Sequence, residues 1–199
     1  MPPVCKESLV GVASSTARKP RADSQRNRDQ LLAAAKAAFA DHGPDVALEE
    51  VARRAGVGIG TLYRHFPGRD ALLAAVYSRE VEQLTTSADR LLALHPPLDA
   101  FDRWLHLLVD YLAAKRVVAP ALQASAEGAR VYAAAGTPVV DAMNRLAQHL
   151  IASGQVRPGV QPQDITQLIM GLAQGYDRPE WAPSARRLIA ILIAGLKRP

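Results

Sequence analysis

The 199-residue chain has a single cysteine, few aromatic side chains and no long apolar run. The single cysteine, Cys5, excludes an internal disulfide, so the fold is expected to be stable without one. The longest apolar run, residues 188–196, is shorter than the roughly 20 residues that a membrane-spanning helix needs. The N-terminus lacks the apolar core of a signal peptide. These absences predict a protein of a reducing cytoplasm that does not enter a membrane.

The sequence also lacks the patterns on which catalysis and cofactor binding usually depend. Its five histidines show no metal-ligand spacing with cysteine or carboxylates. We find no glycine-rich phosphate loop and no nucleophile elbow. One set of polar groups falls at helical spacing: Asp99, Asp102, His106 and Asp110. Such a set is typical of a solvated helix face and only rarely of a metal or proton-transfer site, so we expect no enzyme, no metal and no cofactor.

Apolar residues, many of them alanine, make up 49% of the chain. The alternation of β-branched and aromatic residues that is typical of strands is scarce. A chain of 199 residues can bury a substantial core. We therefore expect an all-α fold. The net charge of +5 suits a polyanionic partner without identifying one.

Residues 47–66, ALEEVARRAGVGIGTLYRHF, predict two helices joined by a tight turn. The first helix, about 48–54, has one apolar face that includes Ala52, whose small side chain allows a close helix contact. Gly56 stands where the chain reverses, because glycine adopts the left-handed conformation at little cost. Leu62 lies on the buried face of the second helix. The Ala-x3-Gly-x5-Leu spacing is typical of a helix-turn-helix, whose outer face enters a DNA groove.

The continuation GVGIGTLYRHFPGRDALL resembles the DNA-binding domain of the TetR family of bacterial regulators. The usual family pattern there is Gly-Val-Ser-x-Gly-Thr-Leu-Tyr-x-His-Phe-x-Ser-Lys-Glu-x-Leu. Upstream, RDQLLAAAKAAFADHG resembles the first helix of that domain, so the resemblance covers about residues 24–75. It implies a transcriptional regulator, in most cases a repressor, that binds a palindromic double-stranded DNA operator as a homodimer and is released by a small-molecule effector.

We accordingly divide the chain into three parts. Residues 1–22 form a basic N-terminal arm without periodicity, which we expect to be disordered. Residues 23–68 form the helix-turn-helix domain, with Asp23 or Ser24 as the N-cap of its first helix. Residues 69–199 form a helical regulatory and dimerisation domain.

In this last part, the sequence predicts helices that are separated at prolines. One long helix is expected over residues 69–94, ended by a His-Pro-Pro sequence. An aromatic-bearing helix follows at about 98–114, and Pro120 is expected to begin a shorter one. Thr137 is expected to cap a later helix, with Pro138 in its first turn.

The resemblance implies that the outer face of the second helix meets DNA. Tyr63 and Arg69 are expected to contact phosphates, and Arg64 either a guanine or a phosphate. His65 either lies near the bases or packs on the first helix. The basic arm either contacts phosphates and the minor groove or is a solvated tail. The expected DNA-binding residues are Arg18, Lys19, Arg21, Gly58, Ile59, Gly60, Thr61, Tyr63, Arg64, His65 and Arg69.

Three positions depart from the family pattern. Ala47 stands where the family usually has Thr or Ser, and Gly58 stands at a usual Ser, so neither helix of the unit has a hydroxyl as its N-cap. Ile59 stands at an often polar or basic position, and we expect it to contact a thymine methyl group. These departures keep one alternative open, a helical ligand-binding or protein-interaction module that has lost operator binding.

Two closing helices, about 163–175 and 183–196, carry apolar residues on more than one face. This pattern predicts either the core helices of a monomer or, as TetR-like proteins usually have, a four-helix dimer interface. A two-fold dimer would let two recognition helices read a palindrome. The expected interface residues are Ile165, Leu168, Ile169, Leu172, Leu188, Ile191, Leu192 and Leu196.

The C-terminal domain of a TetR-like regulator usually holds the effector pocket. The effector must bind more tightly to the state with low DNA affinity, since otherwise it does not shift the conformational equilibrium towards that state. The candidate lining residues are either ordinary core or pocket wall: Phe101, Trp104, Tyr111, Tyr132, Met143 and Met170. An apolar or aromatic small molecule is the default expectation for such a cavity.

Overall fold

The computed structural model describes residues 19–178 and 180–198, and every regular element of this part is an α-helix. The helices are α1 (Lys19–His42), α2 (Leu48–Arg54), α3 (Ile59–His65), α4 (Arg69–Leu94), α5 (Pro97–Gln123), α6 (Ala126–Ala134), α7 (Gly136–Ala152), α8 (Pro162–Ala173) and α9 (Trp181–Leu196). The expected all-α fold is confirmed. None of the described helices is long and apolar enough to cross a membrane.

Helices α1 to α3 form a compact three-helix unit around buried apolar side chains. Ala52 of α2 and Leu62 of α3 are almost completely buried in it, together with Phe66 just after α3. The turn between α2 and α3 depends on Gly56, whose φ is +68°. The backbone N–H of Gly56 donates to the carbonyl of Arg53 (3.1 Å), and that of Val57 donates to the carbonyl of Ala52 (3.1 Å). This pair of bonds is a Schellman motif, which ends α2 and starts the reversal that the sequence predicts.

Helix α1 begins earlier than the sequence analysis predicts. It starts at Lys19, so residues 19–22 of the expected disordered arm are helical, while Arg18 and the residues before it lie outside the described part. Pro20 is compatible with this start because the first turn of a helix does not use its N–H groups. The expected N-caps Asp23 and Ser24 are therefore wrong, since both lie inside the helix.

Helices α4 and α5 form the central pair of the larger domain. Helix α4 has the predicted bounds, with His95 as its C-cap, and Pro97 opens α5. The indole Nε1 of Trp104 donates to the Leu84 carbonyl at 3.0 Å and joins the two helices. Helix α5 runs on through Pro120, so the predicted break there is wrong. Pro120 lies in the last turn and forfeits only one helical hydrogen bond, while residues on either side of it pack into the core.

The remaining helices cover this pair. Ser125 caps α6 by accepting a bond from the Gly128 N–H at 3.1 Å. Helix α7 follows after one residue and begins at Gly136, so Thr137 lies inside the first turn and the predicted cap is wrong. Helix α8 has a capping box, in which the Gln161 N–H donates to the Asp164 carboxylate at 2.9 Å. Helix α7 packs on α4 and α8, and α9 packs on α5.

Candidate functional site

The outer face of α3 presents a small group of exposed residues. The side chains of Ile59 and Tyr63 are 36% and 48% exposed, and Arg64 is also exposed. Thr61 and His65 are half-buried at the edges of this surface. In the described part of the chain, neither the side chain of Tyr63 nor that of Arg64 has a hydrogen bond or ion pair within the protein. Five predicted side chains therefore meet on one surface, with Gly58 and Gly60 beside them.

The helices of this unit begin without side-chain caps, as the sequence predicts. Ala47 and Gly58 both have the extended backbone of an N-cap, yet neither supplies a side-chain hydrogen bond. A Cβ atom placed on Gly58 or on Gly60 would have no heavy atom within 4 Å. The start of α3 is thus open to a partner that approaches the backbone closely.

A network of charged groups connects α1 with α2. Glu50 accepts bonds from Arg53 (2.7 and 2.8 Å) and from Arg54 (2.8 Å), and Arg54 also donates to Asp41 at 2.7 Å and contacts the His42 ring. The hydrogen bonds from Arg53 and then Arg54 lower the pKa of Glu50 to about 2. This network was not predicted, although Glu50 precedes the two arginines by three and four residues, a spacing that favours pairing on a helix.

Arg69 has partners inside the protein. Its Nη1 donates to the carbonyl oxygens of Pro44 at 2.6 Å and of Val46 at 2.7 Å. Arg69 therefore holds the loop between α1 and α2 against the start of α4, which the sequence analysis did not foresee. Its expected phosphate contact stays a prediction that relies on its other nitrogen atoms.

Two ion pairs join α1 to α4. The Arg79 guanidinium lies 3.1 Å from the Asp29 carboxylate, and the Lys36 ammonium lies 2.6 Å from the Glu80 carboxylate. The guanidinium of Arg28, in α1, lies 5.1 Å from the centre of the Phe66 ring. These contacts connect α4 to α1, and α1 to the residue that follows α3. For Lys19 and Arg21 the structure describes only the backbone of α1, so their expected DNA contacts stay predictions.

A cleft of about 240 Å³ lies between α5, α7 and α8. Three of the six predicted lining residues, Tyr111, Met143 and Met170, line this cleft. Phe101 and Trp104 do not, because both side chains are completely buried in the core. The other lining residues are Leu108, Leu112, Lys115, Ala135, Gly136, Val139, Val140, Ile169, Ala173, Gln174 and Tyr176. We call this space the α5–α7–α8 cleft.

Four tyrosines form a chain from the cleft to α4. The hydroxyls of Tyr111 and Tyr77 are 2.7 Å apart, the rings of Tyr77 and Tyr132 stack at 5.9 Å, and the hydroxyls of Tyr132 and Tyr176 are 3.1 Å apart. Burial raises the pKa of Tyr77 and of Tyr111, and the hydrogen bond with Tyr132 is the main reason that the pKa of Tyr176 rises to about 12. These phenols are protonated at neutral pH. The predicted Tyr132 thus lies in the wall behind the cleft, and no sequence signal links these distant positions.

A second cavity, of about 180 Å³, lies between α1, α4 and α5. Its walls are mainly apolar, and Phe39, Val76 and Val118 are among them. Tyr111 and Lys115 line both this cavity and the α5–α7–α8 cleft. The two spaces therefore share one wall, and the second cavity also borders α1 of the three-helix unit.

The closing helices leave part of their apolar surface uncovered. Leu168 (47%), Leu188 (43%) and Ile191 (68%) are exposed, while Leu172 and Leu192 are half-buried. Three predicted interface residues are buried inside the protomer instead: Ile165, Ile169 and Leu196. The reason is that α8 turns one face to α7 and α9 turns one face to α5. The prediction for these three is wrong because apolar spacing alone does not separate the inner from the outer face.

The polar set on α5 faces an arginine of α9. Arg186 of α9 pairs with Asp110 and lies 3.3 Å from His106, whose other ring nitrogen lies 3.7 Å from Asp102. These groups link α9 to α5. In the described residues no group of three or more potential metal ligands comes together.

Comparison with known proteins agrees with this geometry. Residues 31–76 match the family described as bacterial regulatory proteins, tetR family, and residues 96–198 match the C-terminal domain of SbtR-like transcriptional regulators. The chain is 38% identical to the TetR transcriptional regulator SCO0520 of Streptomyces coelicolor, with a TM-score of 0.72 over 85% of this chain and 98% of that one. A TetR regulatory protein of Mycobacterium vanbaalenii is 30% identical, with a TM-score of 0.73 over 89% and 99%.

Curated relatives match over the N-terminal part. The regulator SAR0097 of Staphylococcus aureus is 30% identical over 98 residues, and the repressor KstR of Mycolicibacterium smegmatis is 34% identical over 84 residues. These matches cover 48% and 41% of this chain, and 51% and 41% of the relatives, so the chain spans about half the length of the relatives it matches. The helix-turn-helix geometry, the match over residues 96–198 and the structural likeness over 85% of this chain together lead to one conclusion: the chain belongs to the TetR family of bacterial transcriptional regulators.

Proposed function

We propose that the protein is a transcriptional repressor that binds a palindromic DNA operator as a homodimer and is released by a small molecule in the α5–α7–α8 cleft. The observation that carries the DNA half of this proposal is the exposed face of α3, where Tyr63 and Arg64 have no partner in the described part of the chain. Two relatives, KstR and LfrR of Mycolicibacterium smegmatis, are named repressors. FasR of the same organism is named an activator, so whether this protein represses or activates transcription needs its own test.

On the DNA, the two exposed polar residues of α3 have different tasks. Tyr63 donates to a phosphate and fixes the position of the helix, whereas Arg64 reaches a base edge or a second phosphate. Gly58 and Gly60 allow the start of α3 to lie close to the DNA backbone, because they present no side chain. Ile59 contacts a thymine methyl group in the major groove.

Dimerisation uses the exposed part of α8 and α9. Leu168, Leu188 and Ile191 are large apolar side chains that water surrounds in the single protomer. A two-fold arrangement would cover them with the same surface of a second copy, because an isologous interface uses one patch twice. It would also place two copies of α3 about one DNA turn apart.

Release from DNA needs a physical connection between the cleft and α3. Tyr111 lines the cleft and its hydroxyl bonds Tyr77 on α4, which is joined to α1 by the two ion pairs described above. A ligand that displaces Tyr111 therefore acts on α4 and on the three-helix unit together. Tyr77→Phe removes this hydrogen bond and is expected to weaken the effect of the ligand on DNA affinity more than it changes DNA affinity without ligand. An unchanged ligand effect would show that coupling takes another route.

The DNA proposal is tested by selecting bound duplexes from a random pool with the full chain. We expect a palindromic consensus whose affinity falls steeply between two salt concentrations. Arg64→Ala should lower affinity for that consensus by about 1–3 kcal/mol per protomer if Arg64 contacts a base. Arg103→Ala, which removes an exposed arginine of α5, is the matched control and should have little effect. A folded dimer that enriches no sequence would refute operator binding.

The role of Ile59 has a separate test. Replacing the thymines of the consensus one at a time by deoxyuridine removes only the methyl group. One such replacement should weaken binding of the natural protein and have no effect on Ile59→Ala. Improved selectivity of Ile59→Lys for the same operator would count against the methyl contact.

A further inference from the structure

Lys115 places a positive charge at the α5–α7–α8 cleft. Its half-buried side chain lines the cleft, and its Nζ lies 4.4 Å from the centre of the Tyr132 ring and 5.7 Å from the centre of the Tyr176 ring. In the described part of the chain, no carboxylate lies within 4.0 Å of this ammonium group. Asp177 follows Tyr176 but does not form an ion pair with Lys115. The two aromatic faces stabilise the cation without neutralising it.

The other polar groups of the cleft carry no compensating charge. Tyr111 and Tyr176 are protonated, because burial raises the pKa of the Tyr111 phenol and the hydrogen bond with Tyr132 raises that of Tyr176 to about 12. Gln174 is neutral, and the remaining walls are apolar side chains from α5, α7 and α8. A bound ligand therefore meets one unneutralised cation in largely apolar surroundings. Displacing water from such a site favours a ligand that brings the opposite charge, because burying an unpaired charge is costly.

On these grounds we propose that the cleft binds a small apolar carboxylic acid, and that Lys115 binds its carboxylate. This inference depends on the proposed effector role of the cleft and adds the chemical class of the ligand. One ammonium group matches one negative charge, whereas a phosphate dianion carries more negative charge than the one lysine of the cleft neutralises. The volume of about 240 Å³ lies below the roughly 300–1,000 Å³ of pockets for drug-sized ligands, so the acid is small.

The test compares three probes with the same apolar body, 4-phenylbutyrate, 4-phenylbutanol and 4-phenylbutylamine, by titration calorimetry on the full chain. We expect the acid to bind about tenfold or more tightly than the alcohol, as a hydrogen bond to a charged group allows. The amine should bind most weakly. Lys115→Met keeps the apolar stem and should abolish the preference for the acid, whereas Lys115→Arg should retain it. Lys197→Met, at an exposed lysine beyond α9, is the matched control and should behave as the natural protein.

The possible outcomes separate the ligand class from the function of the cleft. Equal binding of acid and alcohol, a preference that survives in Lys115→Met, or no binding of the acid at millimolar concentration overturns the proposal. Thermal melting of each variant shows whether it is folded, and Lys115→Gln, which should likewise lose the preference for the acid, supplies the test if Lys115→Met is not. Addition of each probe to the operator complex is measured separately. An acid that binds through Lys115 without releasing DNA supports the ligand class and refutes the effector role of the cleft. A neutral molecule that binds the cleft and releases DNA supports the effector role and refutes the ligand class.

Discussion

Gly60 allows protein stability and DNA binding to be changed in opposite directions. It is the second residue of α3, its φ is not positive, and a Cβ atom there would have no heavy atom within 4 Å. Gly60→Ala therefore introduces no strain and reduces the entropy of the unfolded chain, which stabilises a protein by about 0.4–1 kcal/mol. For a chain of this size, that gain raises Tm by a few degrees at most.

The same methyl group points to the surface that we assign to DNA. If the start of α3 lies against the operator, the methyl group forces a displacement that costs about 1 kcal/mol per protomer, the lower end of the range for an inserted carbon atom. Two protomers would then lose about 2 kcal/mol, or on the order of thirtyfold in operator affinity. The protein becomes more stable and binds DNA less well.

Gly56→Ala is the control with the opposite effect on stability. Its Cβ atom would also meet nothing within 4 Å, but its φ of +68° is strained for alanine. We expect a loss of about 1–2 kcal/mol of stability. Urea denaturation at a fixed protein concentration gives both free energies of unfolding, and fluorescence anisotropy with a labelled operator gives the affinities. A stabilised Gly60→Ala that binds the operator as tightly as the natural protein would refute the close approach of α3.

Three further predictions concern stability. Gly128→Ala places a Cβ atom 2.2 Å from the carbonyl oxygen of Leu122 and should destabilise the fold by about 1–3 kcal/mol. Gly136→Ala is the control, because a Cβ atom there has no heavy atom within 4 Å and should not destabilise the fold. Equal melting temperatures of the two variants would contradict this prediction. Ala47→Ser should raise the free energy of unfolding, measured by urea denaturation, by about 1 kcal/mol, because the extended backbone there suits an N-cap hydroxyl. Because the pKa of Glu50 is lowered from 4.5 to about 2, the ionised carboxylate stabilises the folded state. This contribution to the free energy of unfolding is fully present above pH 4.5 and is lost as the pH falls towards 2. Glu50→Gln should flatten the pH dependence of Tm in that window, and an unchanged slope would show that the arginine pairs do not stabilise the fold.

The three-helix unit is the part that could be predicted in most detail. The glycine at the turn, the small residue at the helix contact and the missing N-caps act within about twenty residues, so their effect depends little on the rest of the chain. The structure has α2 at the bounds expected from the sequence, and Gly56 has the expected left-handed conformation. The role of Arg69 could not be predicted in the same way, because its bonds to the loop carbonyls join residues more than twenty positions apart.

Predictions about proline and hydroxyl residues failed where neighbouring helices compensate. Pro120 does not end α5, because the turn around it packs into the core and only one backbone bond is lost. Thr137 does not cap α7, because that helix begins at Gly136, directly after α6. In both cases the local preference is weak compared with the burial of apolar surface.

The amino-acid sequence by itself determined the helical class of the fold and the chemistry of the recognition helix, because both depend on residue type and on spacing along one or two helices. Only the tertiary structure decided which apolar residues are core, which are exposed and which line a cavity. Trp104 is core, Leu168 is exposed, and Lys115 lies beside Tyr132 at the cleft. These assignments require helices that are distant in the sequence to pack against one another, and the resulting environment of a side chain is not contained in its own local pattern.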